Sequence, residues 1–392
     1  MNQMMSYSAH TRAVLALGIP LTGGHLAQMA IGVTDTVMLG WYGVDALAAV
    51  TLGSTYFFVL FIFGSGFAWA VMPMVAAFGA QGDEAGIRRA TRMAMWLSVA
   101  FAFLALPLML WSEPILRAIG QTDSVTRDAA AYLRIAGWGI LPALLVMALK
   151  SYLAALERTQ VVFWITVVAA VINGFVNYAL IFGNWGAPEL GIAGAAIASV
   201  ITHIISFIGI VIYVLYAMPE HSMFQRIWRA DGAMLWQVFT LGWPIGLTAL
   251  SEVGLFAASA TMMGWLGTVP LAAHGVALQL ASITFMLHLG LSNVATIRAG
   301  NALGRKDRPH LVRGAHVALV LSLVIALCTM VGFTQWPHEL ILLFVQPDDP
   351  ALGQILTIGV GLLAMAALFQ LVDGAQVVAL GLLRGLKDTQ LP

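Results

Sequence analysis

The sequence has 392 residues, of which 60% are hydrophobic and only 9% charged, with a mean hydropathy of +0.90. A water-soluble domain carries about 25% charged residues, so a surface that is mostly wet is excluded. Eighteen Lys and Arg balance eighteen Asp and Glu, so no nucleic acid or other polyanionic partner is implied.

In chain order, apolar windows long enough to cross a bilayer predict ten spans. They lie near 13–40, 46–78, 93–111, 126–155, 161–182, 191–217, 236–265, 270–297, 312–335 and 352–382. The runs lack the period-two alternation of a lipid-exposed barrel, so the fold class is an all-α polytopic membrane protein. Several runs exceed the length needed to cross, and tilt is expected. The short polar stretch 1–12 and the absence of a small-residue cleavage site argue against a cleaved signal peptide. The single Cys328 sits in an apolar run, leaving no basis for a disulfide or thiolate metal site.

The connections set an orientation. Arg12, then Arg88, Arg89 and Arg92, Arg158, Arg226 and Arg229, then Arg298 to Arg313, and finally Arg384 and Lys387 fall at the N-terminus or in even-numbered loops. The odd-numbered loops hold Asp45, Glu113, Asp123, Glu189, Glu339 and the pair Asp348–Asp349, with few basic residues beyond Arg117 and Arg127. The positive-inside rule then places the N-terminus and even loops in the cytoplasm. The acidic pair between Pro347 and Pro350 is expected in an outer turn.

The chain repeats itself. Leu17-Gly18-Ile19-Pro20 through Met38-Leu39-Gly40-Trp41-Tyr42-Gly43 and Leu47-Ala48-Ala49 returns 224 positions later as Leu241-Gly242-Trp243-Pro244 through Met263-Gly264-Trp265-Leu266-Gly267 and Leu271-Ala272-Ala273. Further echoes pair Gly82-Asp83 with Gly304-Arg305, and Thr159-Gln160 with Thr389-Gln390. An even number of spans per repeat gives both halves one orientation, related by a pseudo-two-fold axis along the membrane normal. The expected layout is a six-helix bundle over 1–218, a cytoplasmic loop over 219–235, and a second bundle over 236–392. The second bundle has four spans in this sequence, and completing the symmetry calls for roughly 55–60 further residues. The sequence therefore reads as truncated in its second half.

Only Asp35, Glu252 and Asp373 among the acids lie deep in apolar spans. An acid in hydrocarbon costs several kcal/mol, so each is a functional candidate facing a cavity or partner. No Lys or Arg is expected opposite them, since Lys150 and Arg134 sit nearer span ends, where long side chains snorkel. Asn173 and Asn177 share one helical face, as do Ala195 and Ser199. Neutral oxygen ligands beside a carboxylate suit a hard cation. His25, His203, His274 and His288 have no ligand spacing and are expected to pack or bridge helices.

These pieces together give the sequence a resemblance to the multidrug and toxic compound extrusion (MATE) transporters, NorM-type bacterial members in particular. They include the Pro20 span ending Val33-Thr34-Asp35-Thr36-Val37-Met38-Leu39-Gly40, and the Asn173/Asn177 pair. Pro188-Glu189-Leu190-Gly191, Glu252, Ala272-Ala273-His274, and Asp373 with Gln376 and Leu383-Arg384-Gly385 complete the set. The resemblance implies two bundles around a central cavity and no enzymatic activity. It implies antiport, by alternating access, of Na⁺ or H⁺ against cationic or amphipathic drugs. No cofactor is implied beyond that coupling ion, and the partners are organic cations and the lipid bilayer of the bacterial inner membrane, with the protein as a monomer. It assigns Asp35, Asn173, Asn177, Ala195 and Ser199 to a cation-coupling site. Any bound Na⁺ is expected at Asp35, Asn173 and Asn177, and Glu252 and Asp373 are assigned to a cation or substrate site in the second bundle. Phe369, one turn before Asp373, replaces a Tyr seen in some NorM-type members, and Gly275, after His274, stands where Gln is usual. The rival reading, a flippase for lipid-linked saccharides, calls for basic residues in the cavity where this sequence places acids.

Overall fold

The computed structural model describes residues 5–119, 123–345 and 350–390. The acidic pair Asp348–Asp349 lies outside them. Ten helical spans long and apolar enough to cross a membrane run through the described residues. Six are α1 (Tyr7–Tyr42), α4 (Glu84–Leu110), α8 (Thr159–Phe182), α9 (Ile192–Ala217), α10 (Gly232–Leu266) and α11 (Thr268–Arg305). Two more are α12 (Arg308–Gln335) and α14 (Leu352–Gly385). The second span is split at Ala70 into α2 (Val44–Trp69) and α3 (Val71–Gln81). The fourth is split by a 3₁₀ turn at Gly137–Gly139 into α6 (Asp123–Ala136) and α7 (Ile140–Ala155). Short helices α5 (Ser112–Ala118) and α13 (Pro337–Leu342) lie at corresponding corners of the two halves.

The repeat in sequence is a repeat in backbone. Asp83 and Asp307 both cap helices by accepting from the amide three residues on, at 2.8 and 3.0 Å. Trp111 and Trp336 close the third span of each half with φ near −108° and −123°. Glu157 and Lys387 both take φ near +62° where the fourth span ends. Buried backbone polar groups in lipid must pair internally, and these caps and turns do so twice at the same places.

Two local expectations change. Arg92 and Arg298 do not lie in loops: both are inside helices and only 8% exposed. Arg298 stays buried because it bonds His10 Nδ1 at 2.7 Å and His310 Nε2 at 3.2 Å. Arg92 donates to the carbonyls of Met223 at 2.7 Å, Ser222 at 2.9 Å and Gln225. Together with Trp96 Nε1, which donates to Ile227 O at 2.8 Å, it straps the inter-bundle segment onto α4. Arg89 pairs with Asp231 beside it.

The apolar packing places the two bundles. On the side of the membrane holding the N-terminus, one core runs through both halves, from Val14, Val71 and Leu149 to Ile245, Val294 and Val378. Toward the other side it divides. Leu39, Val50, Leu133 and Ala196 form a core of the first bundle, while Ala277, Phe333, Ile355 and Leu363 form one of the second. Small residues permit the close approach where the bundles meet. A Cβ on Gly66 of α2 would run into the backbone of Gly242 and Gly246 on α10, and one on Gly300 of α11 would sit 3.0 Å from the Pro73 carbonyl.

Two outcomes follow. Gly66→Val overpacks this seam and is expected to cost about 1–3 kcal/mol, read as a lower midpoint of thermal unfolding in detergent; an unchanged midpoint contradicts the seam. The hydrogen bond from Arg89 holds the Asp231 carboxyl below the usual carboxylate range. A depressed native pKa stabilises above the unfolded value and is lost as pH falls through the native one. The protection of the 219–231 amides against hydrogen exchange, taken relative to intrinsic rates at each pH, is therefore expected to fall below about pH 4, and in Arg89→Gln at neutral pH.

Candidate functional site

The first bundle gathers four of the five residues assigned to its cation site. Asp35 lies on α1, Asn173 and Asn177 one turn apart on α8, and Ser199 on α9. Asn177 Nδ2 donates to Asp35 Oδ1 and also to Asn173 Oδ1, the latter at 3.1 Å. Asn173 joins through its bond with Asn177, and Ser199 lies near enough to act on the Asp35 carboxyl. Both asparagines are fully buried, whereas Asp35 and Ser199 are half-buried. The flanking Thr34 and Thr36 turn their hydroxyls back to the carbonyls four residues earlier, each at 2.8 Å. That leaves Asp35 as the polar group of this turn aimed at α8 and α9.

Ala195 is the fifth. It is buried one turn before Ser199 and presents a methyl group to the apolar core under the site. It shapes the floor and offers no side-chain ligand. Tyr132 of α6, absent from the sequence reading, joins the cluster: its hydroxyl lies near Ser199, and the Asp35 charge acts on it. A tyrosine in an apolar run carries no periodic signal, and only the fold brings α6 beside α1. Asn177 Oδ1 and Asn173 Nδ2 are buried without a hydrogen-bond partner. A bare amide oxygen beside a carboxylate is a position for a cation or a proton donor.

In the second bundle, Glu252 of α10 and Asp373 of α14 lie near enough for their charges to repel. Arg384, further along α14, supplies an attractive charge to Glu252. Phe369 packs edge-on against Phe256, with ring centroids 6.2 Å apart.

The expectation that no cation lies deep in the spans is corrected. Arg134 does pair near a span end, with Glu113 at 3.1 Å. Lys150 instead points inward from α7: its ammonium donates to Gln28 of α1 at 3.4 Å, and its charge acts on His25 and His203. Its four-carbon stem follows the helix inward because α1 and α9 present polar groups there. Three histidines bridge helices as expected: His25 to Asn293 at 3.0 Å, His274 to Ser259 at 3.2 Å and His288 to Ser322 at 3.1 Å.

Ten spans built from two repeats of one orientation, with carboxylates inside each bundle, define a two-repeat membrane transporter. The MatE family profile matches residues 20–179 and 244–392. A relative in Agrobacterium fabrum called "Probable multidrug resistance protein NorM" is 45% identical over 389 residues, covering 99% of this chain and 84% of its own length. The protein of the same name in Rhizobium meliloti is 43% identical over 389 residues, covering 99% and 83%. Among solved structures, an "outward-facing conformation of a multidrug resistance MATE family transporter" superposes with a TM-score of 0.87 at 17% identity, covering 97% of this chain and 84% of that one. A MOP superfamily transporter from Pyrococcus furiosus superposes with a TM-score of 0.86 at 18% identity, covering 97% and 84%. The chain belongs to the MATE family, among its NorM-type bacterial members.

Asn177 is the donor on which the buried carboxyl depends. Asn177→Leu is expected to destabilise the protein by about 1–3 kcal/mol, seen as a drop in the thermal unfolding midpoint. No drop would mean that Asp35 has another sufficient partner.

Proposed function

We propose that this chain is a multidrug exporter that expels cationic or amphipathic compounds in exchange for Na⁺ or H⁺. The observation that carries this reading is Asp35, held in the apolar interior of the first bundle beside the unpartnered Asn177 Oδ1. A carboxylate that binds a proton or Na⁺ loses its attraction for an organic cation, so the two ligands compete for one charge. An intramembrane acid with amide and hydroxyl oxygens around it suits that exchange. Glu252 and Asp373 form a second acidic position in the other bundle, which attracts the cationic part of a substrate.

The division of the apolar core supports alternating access. The bundles are joined on the N-terminal side and separate beyond it, so a rigid rocking of one against the other exposes the interior to each side in turn. The basic even loops support a cytoplasmic N-terminal side in a bacterial inner membrane, and on that reading the arrangement opens outward. The chain works as a monomer, because each bundle carries its own acids. The names of the NorM relatives support drugs as the cargo.

The test is ethidium accumulation in energised inverted vesicles, with a Na⁺ jump and a pH jump imposed separately. One of the two jumps is expected to drive ethidium movement, and Asp35→Asn to abolish that response. Retained ion-driven movement in Asp35→Asn contradicts the coupling role. No response to either jump in correctly folded protein favours a lipid-linked saccharide as cargo instead.

A further inference from the structure

Arg298 is a buried charge without a counter-charge. It is only 8% exposed, yet among the described residues it makes no ion pair with a carboxylate. The two acids whose charges act in this corner are engaged elsewhere. Glu157 accepts from Asn301 Nδ2 at 3.2 Å, and Asp307 accepts from the His310 amide at 3.0 Å. Arg305 and Arg313 add further positive charge to the same neighbourhood.

The hydrogen bonds of Arg298 sharpen the imbalance. A guanidinium only donates, so both ring nitrogens that it meets, His10 Nδ1 and His310 Nε2, are acceptors. That assigns the proton of His10 to Nε2, which is fully buried and has no partner. Arg298 Nε is buried and unpartnered as well. Two buried N–H donors therefore lack an acceptor where positive charge is already in excess, an arrangement that calls for a bound water or ion.

Space for it lies beside Gly314 of α12. A Cβ there would meet nothing nearer than His10 Nδ1 at 3.8 Å, and then Arg298 Nε and His10 Cε1, both at 3.9 Å. The spot adjoins a cavity of about 10 Å³ lined by Val14, Ala295, Arg298, His310 and Gly314. Such a volume holds about one water-sized particle and excludes a phosphate or an organic carboxylate.

We propose that this cavity is a binding site for a small monatomic anion, chloride by its charge and size. Arg298 Nε–H donates to the anion, and the electropositive edge of the His10 ring closes the site. His10 belongs to α1 of the first bundle, whereas Arg298 and Gly314 belong to α11 and α12 of the second. The bound anion thus ties the bundles together on the N-terminal side. The site lies far along α1 from Asp35 and does not rest on the export reading.

The test uses the purified full chain in detergent, with sodium and ionic strength fixed while gluconate is replaced by chloride, bromide or acetate. The thermal unfolding midpoint is expected to rise saturably with chloride and bromide and to ignore acetate. Chloride is also expected to add hydrogen-exchange protection over residues 10–18. Gly314→Ala fills the cavity with a methyl group that meets no clash, and is expected to raise the chloride concentration for half-response about tenfold. Arg298→Gln is expected to lose the response, and Gly314→Ala keeps the test readable if that variant does not fold. An equal rise with acetate, or an undiminished chloride response in Gly314→Ala, shows a general salt effect and overturns the site. A flat response to both halides assigns the cavity to water and overturns it too. A chloride response without added protection over 10–18 places the anion elsewhere and removes the proposal.

Discussion

The structure depends on keeping a carboxylate inside an apolar bundle. Asp35 sits where an unpaired charge costs several kcal/mol, and three helices spend polar side chains on it. Asn177 donates directly to it and to Asn173, Ser199 lies near the same group, and Tyr132 approaches Ser199 from α6. Each of these side chains would be unfavourable alone in hydrocarbon. Together they make one connected network, with an amide oxygen left open. On the proposed reading, that opening is where a coupling cation is taken up and released.

The same economy of polar groups shapes the bundle interface. Where the halves meet, glycines face backbone, and buried arginines are matched to histidines or carbonyls. Where the halves part, each keeps a separate core. A seam of small residues on one side and independent packing on the other permits tilting of rigid bodies without opening either core. The strapping of 219–231 onto α4 keeps the connecting segment attached to the first bundle.

Much of this was legible in the residues. The sequence repeat marked paired turns that the backbone repeats at Asp83 and Asp307, and again, after a small shift in register, at Glu157 and Lys387. The one-turn spacing of Asn173 and Asn177 put both on the face that meets Asp35. What stayed hidden needed the third dimension. Tyr132 and Gln28 have ordinary surroundings in sequence, and neither reveals which helix it meets. Lys150 lies five residues before the end of α7, which reads as a snorkelling position; its inward direction follows from polar groups on α1 and α9. Arg92 and Arg298 look like loop charges because their partners are distant in the chain. The breaks at Ala70 and Gly137–Gly139 have no counterpart in the α11 and α14 of the second half, so the repeat could not supply them.

The central claim is that one carboxylate serves both ion and drug. Equilibrium binding of a permanently charged organic cation to the purified protein, measured over a series of Na⁺ concentrations and pH values, tests it most directly. The account predicts that the apparent Kd rises in proportion to the coupling ion, with the maximal binding signal unchanged, and that this dependence disappears in Asp35→Asn. Drug affinity that ignores both Na⁺ and pH in the wild type would contradict it.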